Sequence, residues 1–156
     1  MKKLFIALAF VAGSLTCSAQ NIDDVFEHFK GKENVTFVDL PKELIAMGLK
    51  GTNGKKDKEL LQKIEHMKVL SFEGATKKVQ EEFLSMMKKV TLKGYEELIK
   101  VNSEDGKVRI WANVENAPNG SLIIQAISED GLVLLKFDGK LDKEDLEAIA
   151  QTQTGK

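Results

Sequence analysis

YEELIKVNSEDGKVRIWANVENAPNGSLIIQAISEDGLVLLKFDG, residues 95–139, is the stretch that decides the fold. Apolar runs of extended character alternate in it with turn chemistry. Glu104-Asp105-Gly106 separates Val101 from Val108, and Glu129-Asp130-Gly131 separates Ile127 from Leu132. An Asp-Gly pair between apolar runs signals a tight hairpin, because glycine accepts the positive φ that such turns need. Ala117-Pro118-Asn119-Gly120 supplies a turn between the two hairpins. Four consecutive strands are therefore expected near 95–102, 107–115, 121–128 and 131–138, arranged as an antiparallel meander.

The meander is apolar on both sides. Val108, Ile110, Ala112 and Val114 alternate with Arg109, Trp111 and Asn113; Leu122, Ile124 and Ala126 alternate with Ile123, Gln125 and Ile127. Leu132 and Leu134 likewise oppose Val133, Leu135 and Phe137. A sheet covered on one side reads apolar on one face only. Either helices cover both faces, the simpler explanation, or the second face keeps a groove for a partner or an apolar ligand. Trp111, Ile123, Ile127, Val133 and Leu135 are the candidate surface in the second case.

Before this stretch, Ile22, Val25, Phe26 and Phe29 recur at i, i+3, i+4 and i+7, one face of a helix that Gly31 ends. Val35, Phe37 and Val38 suggest a strand within Asn34 to Leu40, and Pro41 can open a second helix where its missing N–H costs nothing. Lys50 to Asp57, with three glycine or asparagine breakers and three lysines, reads as a flexible loop. Lys58 to Met67 returns to helical spacing through Leu60, Leu61 and Ile64, which places His66 at a helix end. Lys68 to Glu73 reads as a strand. Thr76 caps a helix whose stripe is Val79, Phe83, Met86, Met87 and Val90, and Asp142 caps a last helix with Leu146, Ile149 and Ala150.

The first two strands, separated by helices, fit a parallel pair joined by a right-handed crossover. The expected fold is α+β: one mixed sheet of about six strands, the C-terminal four an antiparallel meander, with helices packed on it.

Residues 1–19 read as an export signal. Lys2 and Lys3 precede the apolar run Leu4 to Ala12, too short to anchor in a bilayer, and Cys17-Ser18-Ala19 puts small side chains before a signal-peptidase cut between Ala19 and Gln20. Residues 20–156 then form one domain, located in the periplasm or secreted. The alternative is a lipoprotein anchored at Cys17. It fits less well, because Ser14 and Thr16 stand where an aliphatic and a small residue are wanted. Cys17 is the only cysteine, so the cut leaves a chain without thiol or disulfide. The whole chain carries 23 basic and 24 acidic side chains, a net charge of −1 that gives no reason to expect a nucleic-acid partner.

Candidates for chemistry are few. Asp24 and His28 stand four apart on one helix, yet a metal needs three or four ligands, so surface polarity is the preferred reading. The serines lack the flanking glycines of a hydrolase nucleophile turn. Glu81-Glu82, Glu96-Glu97 and Asp142-Glu144-Asp145 read as solvated faces or helix N-terminal charge rather than paired catalytic carboxylates. Gly-Lys-Ser/Thr order is absent near Lys55 and Lys56. No catalytic residue, cofactor or metal site is expected.

Several stretches together resemble the DUF4252 family of Bacteroidota: Ser18-Ala19-Gln20 and the Phe-rich helix, Asn34-Val35-Thr36-Phe37-Val38, Leu70-Ser71-Phe72-Glu73, Tyr95-Glu96-Glu97-Leu98-Ile99-Lys100-Val101, and Phe137-Asp138-Gly139-Lys140-Leu141-Asp142. The resemblance implies a small exported or envelope-associated protein with no assigned activity, and a link to envelope stress or sigma-factor signalling. Trp111 and Ala117-Pro118 depart from the family's habit around the second meander strand. The expected function is a non-enzymatic module that binds another envelope protein. Its alternative is a carrier holding an apolar ligand or lipid against the sheet and the Met86-Met87 helix, and an uncharacterised hydrolase is a third.

Overall fold

The computed structural model describes residues 21–48, 54–115 and 118–154; the proposed leader, Cys17, and the Ala19–Gln20 cut lie outside them. In chain order the elements are α1 (Ile22–Phe29), β1 (Thr36–Pro41), α2 (Lys42–Gly48), α3 (Lys55–Lys63), β2 (Ile64–Ser71), α4 (Lys77–Lys89), β3 (Tyr95–Asn102), β4 (Gly106–Asn113), β5 (Ser121–Ser128), β6 (Gly131–Gly139) and α5 (Lys143–Thr154). The strands form one open sheet in the order β1-β2-β6-β5-β4-β3. The class is α+β, and the meander runs through β3 to β6 as the two Asp-Gly turns predict; Ala117 of the turn between β4 and β5 lies outside the described residues.

Hairpin chemistry works here through close approach. Gly131 holds φ at +147°, and a Cβ there would stand 2.9 Å from Glu73 Cα. The β5–β6 turn therefore needs glycine both for its backbone conformation and for its contact with the segment after β2.

Both faces of the sheet are covered, which explains the two-sided apolar pattern. On one face α1 and α4 bury Ile22, Val25, Phe26, Phe29 and Phe83 against Leu70, Trp111, Ile123, Leu132 and Leu134. Phe29 meets Phe72 and Phe83 edge-on at centroid distances of 5.3 and 5.6 Å. On the other face Ile45 of α2, Leu60 and Leu61 of α3, and Leu146, Ile149 and Ala150 of α5 pack on Ile110, Leu122, Ile124 and Phe137. β5 and β6 are central and lie under helices on both sides, so they read as nearly continuous apolar runs.

The sheet is antiparallel throughout, and the parallel first pair is corrected. β1 pairs β2 with Thr36 opposite Ser71 and Pro41 opposite His66. A crossover needs a helix long enough to carry the chain back along the face. The connection is instead divided between two short helices, α2 of seven residues and α3 of nine, about 10 and 14 Å long. The chain therefore returns at the end of the sheet where it left.

The α3–β2 border also differs from expectation. The helix begins at Lys55, inside the expected loop, and ends at Lys63 rather than Met67. Residues from Ile64 onward join the sheet because β6 offers partners at once, Ile64 to Gly139 and His66 to Asp138. His66 is thus a strand residue that bonds the Asp39 carboxylate, and it caps no helix. Of the expected loop, residues 50–53 lie outside the described residues.

Candidate functional site

A groove of about 460 Å³ runs between α4 and the strands β3, β4 and β5, on the α1/α4 face. Its residues follow from local periodicity. Spacing of three and four along α4 turns Leu84, Met87 and Lys88 to the same side, and Leu92 extends that wall just past the helix. Alternation along β4 places Lys107, Arg109 and Trp111 on the opposite wall, joined by Lys100 and Asn102 from β3 and Gln125 and Ile127 from β5.

The wall is apolar at its depth and cationic at its rim. Trp111 is 7 % exposed, with the Arg109 guanidinium 4.7 Å from its ring centroid. Arg109 Nε donates to Glu97 Oε2 at 3.0 Å, and its Nη2 donates to the same oxygen. Lys100 stands directly across from Arg109 in the β3–β4 ladder, and Lys107 across from Asn102. Like charges opposite one another destabilise a sheet. Glu97 answers Arg109, but among the described residues no carboxylate pairs Lys88, Lys100 or Lys107.

Gln125 adds a second signal. It is 7 % exposed and lines the groove, yet its side-chain amide makes no hydrogen bond to the described residues. Among the described residues the buried side-chain polar atom without a partner is Asn113 Oδ1, so the unpaired Gln125 amide is open to the groove, where it offers a donor and an acceptor to whatever enters.

The candidate surface read from the sequence is split by the fold. Trp111 and Ile127 line the groove, while Ile123 is fully buried beneath α1 and α4. Leu135 packs on the α5 face, and Val133 lines a separate hollow of about 220 Å³ with Glu73, Ala126 and Asp130. The five therefore do not form one surface. Ladder register is the reason: Trp111 stands opposite Ile123, and Ile123 opposite Lys136, so Val133 and Leu135 point to the other side. Sequence reasoning missed Lys88, Lys100, Lys107 and Gln125. For Lys100 and Lys107 the signal was the charged side of β3 and β4, which alternates with the apolar side; for Lys88 on α4 and Gln125 on β5 there was none.

A second polar cluster on the same face joins α1 to β6. Lys136, 8 % exposed, has its Nζ 3.2 Å from both Asp23 Oδ1 and Asp138 Oδ2. Burial pushes this ammonium's pKa down, but the carboxylates of Asp138 and Asp23, with Tyr95, outweigh that and leave it above the ordinary lysine value. The Tyr95 hydroxyl, its own pKa raised by burial, donates to Ser121 Oγ at 2.9 Å. These groups satisfy one another and clamp the first turn of α1 to β6.

The histidines are likewise engaged at a distance from each other, His28 with Glu82 at 2.7 Å and His66 with Asp39. Asp24 is occupied in the α1 capping box, where its carboxylate accepts from the Asn21 backbone N–H at 3.0 Å. Among the described residues, no group of three or more His, Cys, Asp or Glu converges as a metal-ligand set. No helix of the described residues is long and apolar enough to cross a membrane.

Residues 29–149 match the family model described as Domain of unknown function (DUF4252), and the chain belongs to that family. No curated protein matches the chain, and no solved structure does.

Proposed function

We propose that this member of the DUF4252 family is an exported, non-enzymatic binding protein of the cell envelope, whose ligand is a small apolar-chain molecule held in the α4–β3/β4/β5 groove. The observation that carries the reading is the groove itself: a volume within the roughly 300–1,000 Å³ of small-molecule sites, lined by Trp111, Met87, Leu84, Leu92 and Ile127. Methionine suits such a wall because its unbranched, polarizable chain adapts to varied ligands. Export rests on residues 1–19, with the basic start, short apolar run and small residues before Gln20.

Binding of a second envelope protein, within stress or sigma-factor signalling, is the other reading. The free outer edge of β3 favours it, since an edge strand presents unpaired backbone groups and Val101 there is 40 % exposed. Native mass spectrometry of protein purified from its own host separates the two. A bound mass of lipid size supports the carrier, and a stoichiometric second polypeptide without small-molecule mass overturns it. The mass of the mature N-terminus tests export at the same time: a chain beginning at Gln20 is expected, and a lipid-bearing Cys17 or an intact Met1 refutes cleavage after Ala19.

A further inference from the structure

We infer that the occupant of this groove is an anionic amphiphile, a single acyl chain ending in a negatively charged head; the inference rests on the carrier reading above. The chain as a whole has a net charge of −1, yet the groove gathers Lys88, Lys100, Lys107 and Arg109, and among the described residues these four have one paired carboxylate, Glu97 on Arg109. That concentration is the reverse of the overall balance, and it draws a negative ligand toward the cleft. Lys100 facing Arg109 across the ladder is a repulsion the isolated fold bears. An anion between them turns that repulsion into attraction.

The apolar part of the ligand follows from the depth of the groove. Trp111 and Met87 supply large apolar surface below the cations, and the Gln125 amide offers a neutral hydrogen bond at that depth. A simple inorganic anion would leave the apolar wall unused, and an uncharged chain would leave the lysines repelling one another. The volume lies toward the lower end of the range for small-molecule sites, room for one acyl chain rather than two. One molecule with both parts satisfies both.

Trp111 is the only tryptophan, so its emission reports the groove directly. The purified protein is titrated with sodium laurate and, separately, with dodecyl maltoside, an uncharged amphiphile of the same chain length, both below micelle-forming concentration. Sodium acetate serves as the head group alone. The expected result is a saturable change in emission with laurate, about tenfold tighter than with dodecyl maltoside, and none with acetate. The Lys100→Ser/Lys107→Ser double variant, altered only at exposed side chains, should weaken laurate by roughly fivefold or more while leaving dodecyl maltoside unchanged. Equal affinity for the two amphiphiles, or a laurate affinity indifferent to the lysines, overturns the anionic head and leaves the apolar carrier standing. If neither amphiphile binds, the carrier reading falls as well. Saturable binding of an acidic Glu/Leu-rich peptide in place of laurate would overturn both in favour of a protein partner.

Discussion

Phe29→Ala tests whether the aromatic cluster holds α1 to the sheet. Phe29 closes α1 with zero exposure, and its ring lies 5.3 Å from Phe72 and 5.6 Å from Phe83. Burying such a side chain is worth about 1.5–3 kcal/mol, and each aromatic pair adds about 0.5–1.5 kcal/mol. Part of the lost space will refill as neighbours relax, so the expected cost is roughly 3–5 kcal/mol, the usual range for removing a buried phenylalanine. That is a large share of the about 5–15 kcal/mol that keeps a domain folded. α1 itself has only eight residues, too few to persist as a helix without its docking surface. Urea denaturation followed by far-UV circular dichroism measures the loss, with Phe29→Leu as the control that refills most of the volume. A smaller denaturant slope in Phe29→Ala would show that α1 has already left the sheet before global unfolding. A loss below about 1.5 kcal/mol, or equal losses in the two variants, would refute the account of this core.

Asp145→Ala removes the carboxylate that accepts from the Asp142 backbone N–H at 3.1 Å, and leaves Lys63 without the partner it holds at 2.7 and 2.8 Å. Thermal unfolding should show a loss of about 0.5–2 kcal/mol for the cap alone, and an unchanged midpoint would refute the capping role. Gly139→Ala should cost about 1–3 kcal/mol or abolish folding, because its Cβ would run into the Lys63 carbonyl and stand 2.8 Å from Ile64 Cα, both backbone; soluble expression and a urea midpoint check this. Hydrogen bonds from His28 and then Lys32 hold the Glu82 carboxyl below its ordinary value. Burial raises that of Asp145, but Lys63 and the Asp142 backbone outweigh it and leave it lowered. Lowered carboxyl pKa values mean that the unfolded chain binds more protons, so stability is fully present above about pH 4–5 and falls as acid titrates the folded carboxylates below that. Glu82→Gln should flatten this acid slope in denaturation midpoints measured from pH 6 down to pH 3, and an unchanged slope would contradict the assignment.

Thr76 caps α4, with its hydroxyl accepting from the Val79 N–H at 3.4 Å, and Asp142 begins the cap of α5 as expected. The two Asp-Gly hairpins and the α1 stripe stand as read. His66 was misplaced because Leu60, Leu61 and Ile64 continue at helical spacing, and nothing local marks Ile64 as the residue that meets Gly139 across the sheet. The groove was half legible. Trp111 and Ile127 belong to the candidate surface and the Met86-Met87 helix to the carrier alternative, whereas Lys88, Lys100 and Lys107 come from three elements whose convergence no local pattern announces.

By itself the chain determined its helices, the meander and the existence of a sheet with two apolar faces, since periods of 2 and 3.6 and turn residues are written within about ten positions. Only the tertiary structure decided that β1 runs antiparallel to β2, that Val133 and Leu135 turn away from Trp111, and that four cations share one cleft. Those outcomes depend on register between strands far apart in the chain and on which face each helix covers. A slip of one residue would reverse every such side chain, and it is burial of the whole core that forbids the slip.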